Sequence, residues 1–133
     1  MLTKLLIRDE TTASLGKTEH TFTVHVSGEK ISIRELIRQR VTQEVEEFNS
    51  HQPAVFRMLV QPSDTEQTLN GFKFHKLRLV DPITQYEKAL EAFEGNGFIV
   101  LVDSYQVQEL DDEIALHPET SVTFLKLVPL VGG

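Results

Sequence analysis

One long amphipathic helix is the feature of this sequence that most limits its fold. Ser32 and Glu35 match a capping box, in which each side chain satisfies a free main-chain amide at the start of a helix. Apolar residues then recur at the spacing of one helical face over several turns. These residues are Ile33, Leu36, Ile37, Val41, Val45 and Phe48. The helix is predicted to end near Asn49, and its apolar face requires other elements to pack against it.

Two short strands are predicted before this helix. Residues 2–8 are apolar and compatible with a strand, and residues 21–26 alternate between apolar and polar side chains. Val24 lies on the apolar face of the second strand. Because the polar residues 9–17 join the two segments, we expect a β-hairpin with a long loop.

A second helix and further strands are predicted in the C-terminal part. Asp81 and Pro82 suit the cap and first turn of a helix over residues 83–94, and the Gly-Asn-Gly at 95–97 ends it. The apolar run 98–102 predicts a strand that is buried on both faces. The remaining predictions are a turn at Asp103-Ser104, a short strand at 105–108, a helical turn at 110–114 and a last strand at 121–128 that Pro129 ends.

Residues 51–96 do not fit the simple alternation of short strands and one helix, and we interpret them as an insertion. The stretches 55–60 and 72–79 are each compatible with a strand, and the polar residues 61–71 separate them. An extra hairpin and an irregular excursion are both consistent with this pattern.

Composition and charge exclude several functional classes. The absence of cysteine excludes disulfides, thiolate catalysis and cysteine zinc sites. A formal net charge of −7 disfavours binding to nucleic acid or to an anionic membrane. No apolar run approaches the roughly 20 residues that cross a membrane, and no N-terminal stretch has the form of a signal peptide. We therefore expect a soluble, cytoplasmic protein.

Catalytic and metal-binding motifs are not recognisable in the sequence. The histidines lack the spacing of metal ligands, and neither a glycine-rich phosphate loop nor a nucleophile elbow is present. These histidines are His20, His25, His51, His75 and His117. We expect a protein with no bound cofactor and no metal, on which enzymes act and which is not itself an enzyme.

The order of the predicted elements resembles that of the ubiquitin-like superfamily. Without residues 51–96, the order is that of a β-grasp, an α+β fold in which a mixed sheet wraps around one main helix. Residues 103–114 resemble the turn, short strand and helical turn that precede the last strand of these proteins. The resemblance covers about residues 1–50 and 97–133. It implies a single ubiquitin-like domain in which the apolar helix face packs on a sheet containing Val24, Val100 and Leu125.

The end of the sequence carries the most specific resemblance. Pro129, Leu130 and Val131 precede Gly132 and Gly133. Such an ending resembles that of sulfur carriers of the molybdopterin-synthase small-subunit and thiamin-biosynthesis type. It also resembles the tails of bacterial ubiquitin-like modifiers, which occur beside activating-enzyme, conjugating-enzyme and deubiquitinase-like partners. The residues 129–133 are expected to form a flexible C-terminal tail, in which Gly133 is either the encoded or a processed terminus.

The resemblance implies that the carboxylate of Gly133 is the reacting group. A partner activating enzyme would adenylate it with ATP, after which a nucleophile attacks the acyl-adenylate. Because glycine has no Cβ, Gly132 lets the tail pass through a narrow channel. Pro129 restricts the tail and lowers the entropy lost when it docks. The expected partners are the activating enzyme, a conjugating-like enzyme, a deubiquitinase-like peptidase and the target proteins.

Three functions are compatible with this sequence. The first, a protein modifier conjugated to target proteins in a bacterial antiphage system, is favoured by the length of the chain. The second, a sulfur carrier whose terminal thiocarboxylate serves cofactor synthesis or tRNA thiolation, is favoured by Pro129 and the apolar pair after it. The third, a non-conjugated adaptor that binds partners through its sheet, does not need Gly132 and Gly133.

A partner-binding surface is predicted at the end of the last strand. Because side chains alternate along a strand, Val122, Phe124 and Lys126 share one face, and a lysine is costly to bury. We therefore expect Val122 and Phe124 to point outward and to form a docking surface with the residues that follow the strand. These residues are Pro129, Leu130 and Val131. The alternative is that the inserted segment covers Phe124, which then extends the core.

Overall fold

The structure, a computed structural model, describes residues 2–13, 18 and 20–127. Its elements are, in chain order, β1 (Leu2–Thr11), β2 (His20–Ser27), β3 (Lys30–Ser32), α1 (Ile33–His51), β4 (Thr65–Thr68), β5 (Gly71–Phe74), α2 (Pro82–Glu94), β6 (Phe98–Val102), β7 (Tyr105–Val107), β8 (Glu113–Ala115) and β9 (Val122–Lys126). The predicted α+β class is therefore confirmed.

A mixed five-stranded sheet contains both the first and the last strand. Its order is β2-β1-β9-β6-β7. The central strands β1 and β9 run parallel, and every other neighbouring pair is antiparallel. The N-terminal hairpin is confirmed, with a register that extends from Leu2 opposite Ser27 to Asp9 opposite His20. Two small antiparallel ladders, β3 with β8 and β4 with β5, lie outside this sheet.

The chain divides into two compact units. Unit 1 comprises Met1–Leu36 and Phe93–Gly133, and it contains the five-stranded sheet and the β3–β8 ladder. Unit 2 comprises Ile37–Ala92, which includes most of both helices and the β4–β5 ladder.

The core of unit 1 is built on one face of the five-stranded sheet. Ile7 of β1 and Val122 of β9 lie opposite each other, and Val100 of β6 lies opposite Phe124 of β9. All four side chains are buried. The ring of Phe124 stacks on that of Phe98, with 5.7 Å between the centroids. Burial of aliphatic and aromatic side chains from adjacent strands holds the sheet in this register.

Helix α1 begins as predicted. The hydroxyl of Ser32 accepts a hydrogen bond from the main-chain amide of Glu35 over 3.1 Å, which is the N-cap interaction. All six residues of the predicted apolar face are buried. The helix ends at His51, and Gln52 follows with a left-handed φ of 41° while its amide donates to the carbonyl of Phe48. Of the three sheet residues predicted to face the helix, Val24 and Val100 are buried and Leu125 is only half-buried.

Leu125 differs from the other two because it projects from the opposite face of the sheet. It lies opposite Ile99, whereas its neighbour Phe124 lies opposite Val100 on the buried face. The prediction that residues 98–102 are buried on both faces is wrong for the same reason. Phe98 and Val100 are buried, but the residues between and after them are only half-buried.

Of the two stretches that are compatible with a strand, 55–60 forms none, and only the first part of 72–79 belongs to one, β5. The extra hairpin, one of the two possibilities for this segment, is present as β4 and β5. Within 55–60 only Phe56 forms a bridge, exchanging two main-chain hydrogen bonds with Phe72. A Cβ added at Gly71 would collide with the carbonyl oxygen of Phe56, so the chain passes this point because residue 71 is glycine. The hairpin partner of β5 is β4, in the stretch predicted to be a polar loop.

The helical turn predicted at 110–114 is only partly correct. The amide of Asp112 donates to the carbonyl of Glu109 over 3.2 Å, which closes one turn, whereas Glu113 and Ile114 belong to β8, which pairs with β3. The carbonyls of Leu110 and Asp112 accept hydrogen bonds from the amides of Arg34 and Ile33, over 2.8 and 3.0 Å. These amides belong to the first turn of α1 and have no partner inside the helix. The segment therefore serves as a main-chain cap for α1.

Helix α2 and its ends agree with the prediction. Asp81 caps the helix, since its carboxylate accepts from the amide of Ile83 and the hydroxyl of Thr84, over 3.1 and 2.8 Å. At the other end Asn96, with φ of 59°, takes the left-handed conformation that stops the helix. Neither helix of the described residues is long and apolar enough to span a membrane.

Candidate functional site

The candidate site is the C-terminal end of β9, from which the sequence continues to Gly132 and Gly133. Strand β9 ends at Lys126, and Leu127 is the last described residue. The predictions for Pro129, Leu130, Val131, Gly132 and Gly133 fall on residues outside the described part of the chain. The structure therefore defines the base from which this segment starts.

Side chains and main chain fix the start of β9. The amide of Ser121 donates to the carboxylate of Asp103, and the amide of Asp103 donates to the carbonyl of Ser121, each over 2.9 Å. Asp103 and Ser104 form the predicted turn between β6 and β7, with φ of 49° and 73°. The guanidinium of Arg8 donates to the hydroxyl of Ser121 over 3.3 Å. Both neighbours of β9 thus hold its first residues.

Main-chain hydrogen bonds fix the other end of β9. The carbonyl of Lys126 accepts from the amide of Thr12, just beyond β1, over 3.0 Å. The amide of Leu127 donates to the carbonyl of Gly97, just before β6, over 3.1 Å. Because both sides of the strand are paired up to this point, residue 127 leaves the sheet at a fixed place.

The prediction that Val122 and Phe124 point outward is wrong. Both side chains are fully buried, and Phe124 stacks on Phe98. Lys126 shares their face of β9, but it lies at the end of the strand and is half-buried. A lysine in that position can cover apolar surface with its aliphatic chain while the ammonium reaches water. Phe124 is therefore part of the core, as the alternative interpretation expected, and its aromatic partner Phe98 lies in unit 1.

The opposite face of β9 is the one with accessible apolar side chains. Leu125 lies opposite Ile99, and both are half-buried. Leu6 of β1 lies on the same face of the sheet and is exposed. Strand alternation divides the residues of β9 between two faces but does not show which face is buried. The cross-strand register with β1 and β6 identifies the buried face. We call the residues Leu6, Ile99, Leu101 and Leu125 the outer sheet patch.

An open groove of about 640 Å³ is the other notable feature of unit 1. It brings Lys4, Lys30 and His117 together with Glu29 and with apolar residues at and just after the end of β8. Over residues 2–13, 18 and 20–127, no group of three histidine, aspartate or glutamate side chains is arranged to hold a metal ion. The geometry of the described chain thus directs attention to the base of the C-terminal segment.

The fold and this site define an α+β protein whose mixed sheet places its last strand in the centre. No known protein family, no curated protein and no solved structure matches this chain.

Proposed function

We propose that this protein is a ubiquitin-like modifier of the β-grasp type, which is joined to target proteins through the carboxylate of Gly133. The observation that supports this most is the position of β9, which lies parallel to β1 in the middle of the sheet and leads to Gly132-Gly133. A function is supported by the residues of its site and not by likeness of fold.

The strand order supports the β-grasp part of the proposal. A β-grasp has its first and last strands adjacent and parallel, with a hairpin on each side of the pair. Here β2 flanks β1, and the β6–β7 hairpin flanks β9. The capped helix α1 follows the first hairpin, as that fold requires. The part of unit 2 that follows α1 is then an addition to the minimal fold.

The fixed end of β9 supports conjugation through the segment after it. An activating enzyme must bring a carboxylate to ATP, which is easier when the segment starts from a rigid point and has little freedom to lose. Hydrogen bonds from Thr12 and to Gly97 supply that rigid point. Pro129 restricts the chain, and Gly132 leaves room for passage through a narrow channel.

The activating enzyme is proposed to dock on the outer sheet patch, in place of the surface that had been expected around Phe124. Leu6 and Leu125 offer accessible apolar area within the same sheet as β9. Burial of this apolar area against a partner is favourable. A conjugating-like enzyme and a deubiquitinase-like peptidase complete the proposed set of partners, and a bacterial antiphage system is the proposed setting.

A sulfur carrier is the second candidate function. Pro129 and the following apolar pair favour it, because they match the ending of such carriers. Both functions use an adenylated Gly133, and they differ in what replaces the adenylate. A modifier forms an amide with a target, whereas a carrier forms a thiocarboxylate.

Mass spectrometry of trypsin-digested protein from the native cell distinguishes these functions. Lys126 is the last basic residue, so trypsin leaves residues 127–133 attached to any modified lysine. We expect target peptides that carry the branch Leu-Val-Pro-Leu-Val-Gly-Gly. A carrier would instead give the free peptide 127–133, heavier by the difference between sulfur and oxygen.

Matched variants test the role of the two glycines. Deleting Gly133 or replacing Gly132 with tryptophan should abolish the branched peptides and leave the melting temperature unchanged, whereas Gly95→Ala at the end of α2 should preserve them. Branched peptides that persist in both tail variants would exclude the proposal. A partner that is captured equally by the wild type and by the variant without Gly133 would favour the adaptor.

A further inference from the structure

Unit 2 carries an exposed segment with an unusual combination of charge and apolar side chains. Leu77 and Leu79 are 52% and 66% exposed, and Lys76 precedes them. Residues 55–80 contain four basic and two acidic side chains, in a chain whose net charge is −7. We call Lys76–Leu79 the open segment.

The main chain of the open segment is available for pairing. Among the described residues, no hydrogen-bond partner is found for the main-chain amides and carbonyls of Lys76, Leu77, Arg78 and Leu79. The segment has neither helical nor strand structure, and Leu77, Arg78 and Leu79 are all exposed. None of its four residues has a positive φ, which is compatible with an extended chain. Unpaired groups of this kind form a template for an added strand.

Hydrogen bonds hold both ends of the open segment in place. The amide of His75 donates to the carbonyl of Asp64 over 3.1 Å. At the other end, the side-chain amide of Asn49 donates to the carbonyl of Val80 and its oxygen accepts from the amide of Val80, over 3.0 and 2.9 Å. The segment is therefore pre-organised, and a partner would pay little to order it.

Arg78 fixes the middle of the open segment. Its guanidinium lies 3.3 Å from the carboxylate of Asp64 and donates to the carbonyl of Ser63 over 3.4 Å. It also covers the ring of Phe74, with 5.6 Å between the guanidinium carbon and the ring centroid. Arg78 remains 52% exposed, but these contacts restrict the middle of the open segment.

We propose that the open segment binds an extended, acidic segment of a partner protein, which adds to it as a strand. Main-chain hydrogen bonds supply the affinity, and alternate side chains supply the specificity. Apolar side chains of the partner lie beside Leu77 and Leu79, and its acidic side chains face Lys76. This binding does not depend on Gly132 or Gly133.

The chemistry of the segment favours a peptide over other anionic partners. Nucleic-acid binding relies on aromatic stacking or on clustered phosphate contacts, and the open segment offers no aromatic side chain and only two cations. An anionic membrane would also repel a chain with net charge −7. Neither of these partners uses free main-chain amides along a strand.

Titration with a labelled synthetic peptide in which valine alternates with glutamate tests the proposal on the full chain. We expect saturable binding, accompanied by protection from hydrogen exchange of the amides of residues 76–79. The double variant Leu77→Ser with Leu79→Ser should weaken binding by about tenfold or more. Leu69→Ser is the matched control, because Leu69 is 98% exposed in the same unit and should leave binding unchanged.

Two further comparisons separate main-chain pairing from simple charge attraction. A peptide with N-methylated amides should not bind, because it lacks main-chain donors. Lys76→Glu should weaken binding and reduce its salt dependence, whereas Lys30→Glu, which changes the net charge equally in unit 1, should leave the salt dependence unchanged.

Several outcomes would overturn the proposal. Absence of saturable peptide binding would show that the segment is not a peptide site, and equal binding of the N-methylated peptide would exclude strand addition. Tighter binding of a single-stranded oligonucleotide or of phosphatidylserine vesicles, lost in the Leu77/Leu79 variant, would assign the segment to that partner instead. Since none of these assays involves Gly133, their failure leaves the conjugation proposal unaffected.

Discussion

The two units satisfy their main-chain hydrogen bonds in different ways. In unit 1 the strands pair with each other, and β9 is bonded along both edges by β1 and β6. In unit 2 polar side chains of the helices take that role for the loops. Glu44 accepts from the amide of Leu59, Asn49 binds both main-chain groups of Val80, and Gln85 donates to the carbonyl of Val60. Unit 1 is therefore held by repeated pairing, and unit 2 by a few individual side chains.

Their aromatic side chains show the same contrast. In unit 1 Phe124 stacks on Phe98, and the other buried apolar side chains of the neighbouring strands are aliphatic. In unit 2 Phe56 contacts Phe48 and Phe74, with centroid distances of 4.4 and 5.4 Å. These rings bring together helix α1, strand β5 and the loop that contains Phe56. Apolar burial stabilises both units, but in unit 2 polar side chains must also define the path of the chain.

The largest effect is expected from Phe124→Ala in unit 1. Removing a fully buried ring beside Phe98 should reduce the free energy of unfolding by about 3–5 kcal/mol. Chemical denaturation measures this change. Phe124→Leu, which retains most of the apolar volume, is the control and should cost clearly less. A near-neutral Phe124→Ala would mean that the ring does not belong to the core of unit 1.

In unit 2 the buried ion pair gives the next largest effect. Arg40 is 1% exposed, and its guanidinium lies 3.4 Å from the carboxylate of Glu44, which also accepts from Leu59. Glu44→Ala removes that charge and should cost about 3 kcal/mol, since a buried cation loses a partner. Glu44→Gln keeps an oxygen for Leu59 and should cost less. Equal losses in both variants would show that the charge, and not the hydrogen bond, dominates.

Asn49→Ala should have a smaller, local effect. It removes two hydrogen bonds to Val80, each contributing about 1 kcal/mol, so the free energy of unfolding should fall by about 2 kcal/mol. Hydrogen exchange should accelerate at the amide of Val80 and remain unchanged in the five-stranded sheet. Asn49→Asp retains only the acceptor and should lie between. Accelerated exchange throughout the five-stranded sheet would show that the effect of Asn49→Ala is not local.

The helix caps should give the smallest and most similar effects. Ser32→Ala and Asp81→Ala each remove one N-cap and should each cost about 1 kcal/mol. Thermal unfolding of the two variants, with Ser32→Asp and Asp81→Asn as replacements that can still cap, measures both. A much larger loss for Asp81→Ala would indicate that α2 contributes more to unit 2 than its cap alone implies.

The sequence predicted most of unit 1 because its elements have a regular period. The alternation in residues 21–26 and the N-cap at Ser32 each determine structure within a few neighbouring residues, and both were confirmed. The structure of 110–114 was only partly predicted, because the carbonyls of Leu110 and Asp112 bind the first turn of α1, far away in the chain. Such a contact leaves no periodic pattern in the sequence.

Unit 2 was harder to predict for the same physical reason. The side chains that fix its loops, such as Asn49 and Gln85, are separated from their partners by more than twenty residues. For the candidate site, alternation correctly grouped Phe124 with Val122, but the desolvation cost of Lys126 was a poor guide at the end of a strand. The roles of Gly132 and Gly133 remain sequence predictions.

The parallel pairing of β1 and β9 also has a mechanical consequence. A force applied between Leu2 and Lys126 pulls these strands in opposite directions along their length, so the hydrogen bonds of the five paired positions share the load. Pulling on the two ends of the β6–β7 hairpin would instead break its bonds one after another. Single-molecule stretching should therefore record a higher rupture force for the first pair of handles than for handles at Phe98 and Val107, and an equal force would contradict this geometry. A target that is tethered through the residues after β9 would pull the sheet along its most resistant direction.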